Sequence, residues 1–208
     1  MAAADHAQQS QQPVLVIMGV SGSGKSTVAG ILAGQLGWDL EEGDDLHPAA
    51  NVAKMHAGIP LTDEDRWPWL DSVAAWITEH TRAGIPGIIT CSALKRIYRD
   101  RMRGDNVVFV HLAGNKDTIE RRLNARLNHY MPPTLLDSQI NTLEPPGPDE
   151  NTLVVDLGRK PAEEAAEIIE RLGLHAETGS STLGSSHPGT SSAPPIGDLW
   201  EDESRSPS

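Results

Sequence analysis

A short apolar run, Val14 to Met18, leads directly into Gly19-Val20-Ser21-Gly22-Ser23-Gly24-Lys25-Ser26, with Thr27 and a helix-forming stretch behind it. The spacing G-x-x-x-x-G-K-[ST] between a strand and a helix is a complete phosphate-binding loop. Its glycines let the backbone wrap a phosphate chain, and the helix behind presents its positive end to the same anion. Lys25 is expected to reach the β- and γ-phosphates and Ser26 to ligate Mg²⁺. The chain is therefore expected to bind a nucleoside triphosphate, through residues 19–27.

The 208 residues allow one α/β domain with a sizeable core and some chain left over. From residue 176 onward Ser, Gly, Pro and Thr dominate without apolar periodicity, so 176–208 is expected to be a disordered acidic tail. Residues 1–12 are polar and expected to be a loose N-terminus, which leaves 13–175 as the folded domain. Five apolar runs alternate with helical patterns: Val14 to Met18, a weaker one at 38–40, then 85–90, 107–112 and 153–157. That alternation calls for a parallel sheet with helices on both faces.

Helices are expected at 27–36, stopped by Gly37, and after a capping-box-like Thr62 and Asp65, with Trp69, Leu70, Val73, Trp76 and Ile77 facing the core. Ser92 is expected to cap another helix through Met102, and further helices are expected at 116–126, at 135–143, and after Pro161 as far as Leu172. Residues 128–151 are rich in proline and contain no strand pattern, as expected for a functional lid.

The formal net charge of −12 makes a phosphate backbone an unfavourable partner, so no nucleic-acid binding is expected. Removing the five acids and one arginine of the tail still leaves −8 on the remainder, so an anionic substrate must be held by a local cation cluster. The single cysteine, Cys91, allows neither an intramolecular disulfide nor a cysteine-built zinc site and suits a reducing cytoplasm. No apolar run approaches the roughly 18 residues of a membrane span, and no secretory leader pattern is present.

Phosphoryl transfer is mostly positioning and charge neutralisation, so it needs an acceptor-side carboxylate and cations besides the phosphate loop. Glu42-Gly43-Asp44-Asp45 follows the second strand, at the edge of the sheet where ligands sit. Asp44 is the candidate to accept or orient the proton of an attacking hydroxyl, and Glu42 to hold Mg²⁺ through water. An acidic cluster stabilising the helix near Pro48 is the alternative use, above all for Asp45.

Arg122 and Arg126, four residues apart on one helix face, could lie over a nucleotide base and reach the transferring phosphate. Surface pairing with neighbours such as Glu120 competes with that role. Lys95, after the third strand, and Arg66 could hold an acceptor carboxylate.

Beyond the loop, the chain resembles the gluconate kinase family of small P-loop kinases, related to shikimate and adenylate kinases. The resemblance rests on EGDDLHP from Glu42, on Asn51, Lys54-Met55, Gly58 and Pro60-Leu61, and on Asp65-Arg66 with Pro68-Trp69-Leu70. It continues in CSALKRIYRD from Cys91, RLNARLNHYM from Arg122, and Ser138-Gln139 to Leu143-Glu144-Pro145. It implies a three-layer P-loop NTPase fold like that of nucleoside-monophosphate kinases, with a five-stranded parallel sheet and a mobile lid.

The resemblance also implies transfer of the γ-phosphate of ATP to the 6-hydroxyl of D-gluconate, with Mg²⁺, in a cytoplasmic enzyme that is often a homodimer feeding the pentose phosphate route. Residues 19–27 would bind ATP, Asp44, Arg66 and Lys95 would serve the acceptor, and Arg122 and Arg126 the nucleotide. His47, Asn51, Ser92 and His129 would add hydrogen bonds along the polyol. Tyr130 stands where the family commonly has phenylalanine.

Overall fold

The structure is a computed structural model and describes residues 11–124 and 133–176. Arg126, His129, Tyr130 and the tail from 177 onward lie outside the described residues. Five strands, β1 (Val14–Met18), β2 (Asp39–Glu42), β3 (Gly87–Thr90), β4 (Val107–Ala113) and β5 (Thr152–Asp156), form one sheet in the order β2-β3-β1-β4-β5. Every pairing is parallel, with Ile17 opposite Thr90 on one side of β1 and Val110 on the other.

Side chains alternate across a strand, and β1 shows how this builds two cores. Leu15 and Ile17 pack with Val28 and Leu32 of α1 (Lys25–Leu36), and with Ala165 and Ile168 of the last helix (Pro161–Leu172). Val14, Val16 and Met18 face the other way, onto Trp69, Leu70, Val73 and Ile77 of the long helix Asp63–Ala83 and Tyr98 of the helix Arg96–Met102. In chain order, after α1, the helices are α2 (Ala49–His56), α3 (Asp63–Ala83), α4 (Arg96–Met102), α5 (Lys116–Asn124), α6 (Pro133–Thr142) and α7 (Pro161–Leu172).

Local signals explain most boundaries. Gly37, in the left-handed region at φ 70°, closes α1 by donating its N–H to the Ala33 carbonyl. Thr62 and Asp65 form a reciprocal capping box at the start of α3.

Two departures from the sequence expectation bear on the site. The second strand is the acidic stretch Asp39–Glu42, because it lies at the sheet edge, while Trp38 of the apolar run is buried just before it. Ser92 does not cap a helix. Residues 91–95 form a loop with Ala93 at φ 45°, and α4 begins only at Arg96.

That loop is held by a buried ion pair. The Arg99 and Glu150 side chains, 1% and 4% exposed, join at 2.5 Å and 3.0 Å in a bidentate arrangement. The remaining Arg99 nitrogen, Nη1, donates to the Ala93 and Leu94 carbonyls at 3.1 Å and 3.2 Å. Removing one member of such a pair strands a buried charge, which costs about 3–5 kcal/mol. Arg99→Met is therefore expected to lose stability on that scale in denaturant unfolding, and a loss below about 1 kcal/mol would contradict the anchoring role.

His111 of β4 is buried, and its pKa is held below the usual 6.5 by burial and by the nearby Arg99 charge. The folded state therefore resists a proton that the unfolded chain accepts. This contribution to stability is complete above 6.5 and is lost as the pH falls through the lowered native value. Thermal melts from above 6.5 down to about pH 5 should fall more steeply for the native protein than for His111→Gln, and equal slopes would contradict this.

Candidate active site

The phosphate loop leaves the C-terminal end of β1 with three glycines at positive φ, Gly19 at 142°, Gly22 at 81° and Gly24 at 94°. A side chain at Gly22 would collide with Leu123 at 2.5 Å, so the tight path of the loop depends on the missing Cβ. Helix α1 starts at Lys25 with no side-chain cap and no acidic residue in its first turn. Its positive end is therefore kept for an external anion. The hydroxyl of Ser23 is buried inside the loop without a hydrogen-bond partner among the described residues. Lys25 Nζ donates to the Gly19 and Val20 carbonyls at 3.1 Å and 3.2 Å, folded over the strand side of the loop.

Glu42 ends β2 and turns towards this loop. Its Oε2 accepts from Ser26 Oγ at 3.0 Å and from Thr90 Oγ1 at 2.6 Å. A hydroxyl and a carboxylate joined in this way are hard oxygen donors of the kind Mg²⁺ uses with phosphates and water. Thr90, which the sequence did not single out, also accepts from the Gly43 N–H at 3.2 Å. A Cβ on Gly43 would lie 2.0 Å from the Thr90 carbonyl oxygen, so glycine is required for the backbones of β3 and the turn to touch. The only sequence trace of this arrangement is a glycine between acids and a threonine at a strand end.

Trp69 clamps the same turn from α3, donating its indole N–H to the Gly43 carbonyl at 2.6 Å. It is 2% exposed, a core residue as expected, and His47 stacks on its ring at 4.2 Å. Burial holds the His47 pKa below the usual range, with Asp44 pulling it up and Arg66 pushing it down. These two opposing charges put Asp44, His47 and Arg66 in one neighbourhood. Asp44 and Asp45 sit on a single 3-10 turn, Gly43–Leu46, and both are exposed. Lys25 and Asp44 also both act on the buried Cys91 thiol, whose pKa burial pushes up to about 12. At that value the thiol is a neutral core group and no nucleophile.

Lys95 and Arg66 are brought together, but each already has partners. Lys95 Nζ donates to both oxygens of Asp63 at 2.8 Å and 2.7 Å, and the Tyr98 hydroxyl donates to Asp63 Oδ1 at 2.5 Å. These bonds hold the Asp63 carboxyl below the usual carboxylate range. Arg66 Nη1 donates to the Leu61 carbonyl at 2.6 Å and lies 3.8 Å from the same Asp63. The sequence reading missed Asp63 as the hub of this cluster. Asn51 is buried, and its amide donates to the Asp65 carbonyl at 2.7 Å, pinning α2 to the start of α3. The Ser92 carbonyl accepts from the Gly19 N–H at 3.3 Å, so the loop 91–95 touches the phosphate loop directly.

Arg122 reaches the phosphate loop from behind. Its guanidinium donates to the Ser23 carbonyl at 3.1 Å, to the Leu157 and Arg159 carbonyls, and to Glu164 at 2.5 Å. Glu164 is fully buried, so the pair braces the loop against α7. The pairing with Glu120 weighed from the sequence is not among the ion pairs of the described residues.

No protein-family model matches the chain. Individual relatives do. A gluconokinase from Gluconobacter oxydans is 50% identical over 157 residues, which cover 74% of this chain and 88% of that protein. The crystal structure of a gluconokinase from Sinorhizobium meliloti is 41% identical, covers 77% of this chain and 91% of its own, and superposes with a TM-score of 0.72. An unliganded sugar kinase from Janibacter, 46% identical, covers 78% of this chain and 95% of its own with a TM-score of 0.73. A likeness at this level, over about three quarters of the chain, settles the family: the chain belongs to the gluconokinases.

Proposed function

We propose that the protein transfers the γ-phosphate of ATP to the 6-hydroxyl of D-gluconate, giving 6-phospho-D-gluconate and ADP. The observation that carries this reading is the hydrogen bond from Ser26 of the phosphate loop to Glu42, which ties the loop to the turn that bears the exposed Asp44, in a chain of this family. A phosphate cradle and a carboxylate placed side by side are the minimum for phosphoryl transfer to an alcohol.

Each residue has a role in that transfer. The glycine loop and the uncapped start of α1 hold the phosphate chain, and Lys25 moves from the loop carbonyls onto the outer phosphates. A bound Mg²⁺, held by Ser26 and through water by Glu42, would neutralise charge between the outer phosphates. Asp44 orients the 6-hydroxyl and receives its proton as the oxygen bonds to the γ-phosphorus and the bond to the bridging oxygen of ADP breaks.

The gluconate carboxylate is received by Arg66 and Lys95, where it competes with Asp63. His47, Asn51, Ser92 and His129 provide hydrogen bonds along the polyol, and Arg126 and Arg122 serve the nucleotide. An unmatched buried polar group is costly, so such a site discriminates among polyols. The proposal also includes a domain spanning 13–175 with a lid at 128–151, a homodimer and a cytoplasmic location. Among the described residues no helix is long and apolar enough to cross a membrane.

An ATP- and Mg²⁺-dependent coupled assay against gluconate, shikimate, glucose and nucleoside monophosphates tests the reading. Turnover is expected with gluconate; turnover only with another acceptor, or with none, would overturn it. Lys25→Ala and Asp44→Asn should each lower kcat by about 10²-fold or more while the melting transition persists. Near-normal kcat in Asp44→Asn would remove Asp44 from the proton-handling role.

A further inference from the structure

One contact to the phosphate loop comes from a residue with no assigned role. The backbone N–H of Ser21 donates to Gln139 Oε1 at 2.7 Å, across 118 positions of sequence. Gln139 lies on α6, whose Leu136 is buried in the core and whose Ile140 packs against it, so the amide is carried by a seated helix. Ser21 adjoins Gly19 and Val20, the carbonyls on which Lys25 Nζ rests. Because a loop lysine of this kind serves the β- and γ-phosphates, this is the outer-phosphate edge of the cradle.

The same segment reaches the acceptor side five residues later. The Glu144 N–H donates to the Leu94 carbonyl at 2.8 Å, and its carboxylate accepts from the Arg96 N–H at 2.6 Å. Leu94 and Arg96 flank Lys95. Residues 139–144 therefore hold the donor edge with one end and the acceptor loop with the other.

We infer that Gln139 is a positioning residue that fixes the outer-phosphate edge of the loop relative to the acceptor loop. The inference deepens the kinase reading above and rests on it. Small displacements of reacting groups slow transfer sharply without weakening ground-state binding. The amide is also the right chemistry for the place. It accepts the Ser21 N–H as a carboxylate would, yet brings no negative charge next to a phosphate.

Two substitutions in the full chain separate these features. Gln139→Leu removes the acceptor and should lower kcat about tenfold, with the KM for gluconate changed by no more than about twofold. Gln139→Glu keeps an acceptor oxygen and adds charge at the outer-phosphate edge. Calorimetric titration should then show ATP binding weakened about tenfold more than ADP binding. Equal weakening of the two nucleotides, or wild-type kcat in Gln139→Leu, would overturn the inference.

If Gln139→Leu loses its cooperative melt, the nucleotide comparison in Gln139→Glu decides alone. That comparison needs no acceptor, so its outcome stands apart from whether the native protein phosphorylates gluconate.

Discussion

One carboxylate oxygen joins two strand ends to the helix behind the phosphate loop. Glu42 Oε2, at the tip of β2, takes hydrogen bonds from Thr90 at the tip of β3 and from Ser26 in the first turn of the helix that follows β1. The two tips meet because β3 pairs with both β1 and β2, placing Thr90 opposite Ile17 on one side and Glu42 on the other. Gly43 completes the junction by letting the turn lie directly on the β3 backbone. The junction ties the phosphate loop to the turn that bears the exposed Asp44, and Trp69 holds that turn from the core.

The cations around the junction are not free charges waiting for a substrate. Lys95 and Arg66 lean on Asp63, and Arg122 on the buried Glu164. In a chain of net charge −12, such pairing keeps long side chains ordered, and for the buried Glu164 it offsets the cost of taking a carboxylate out of water. In the proposed reaction, a substrate carboxylate would replace part of what Asp63 supplies to Lys95 and Arg66. Binding then gains little Coulombic energy from the swap itself, and selectivity falls on geometry and hydroxyl matching.

Local chemistry made part of this legible in the sequence. The phosphate loop, the Thr62–Asp65 capping box and the glycine stop at Gly37 depend on residues close in the chain, and they stand where the pattern put them. The edge strand was shifted because an edge position needs no apolar run, so the acidic Asp39–Glu42 carried no strand signal. The helix expected after a Ser92 cap begins only at Arg96, because the preceding loop is shaped by Arg99 and Glu150. Thr90 and Asp63 were invisible for the same reason, and Gln139 stood out only within the family resemblance, without a role. Each acts through a partner dozens of positions away, and a lone threonine, aspartate or glutamine has no spacing to betray it.

The central claim is geometric: the junction around Glu42 presents Asp44 to the alcohol that attacks the phosphate held by the glycine loop. A crystal structure of the protein with D-gluconate and a non-hydrolysable ATP analogue measures it directly. The account requires the Asp44 carboxylate within about 3 Å of the gluconate 6-hydroxyl, with the outer phosphate seated against Lys25 and the loop. A gluconate bound with that hydroxyl turned away from Asp44, or a triphosphate lodged outside the loop, would contradict it.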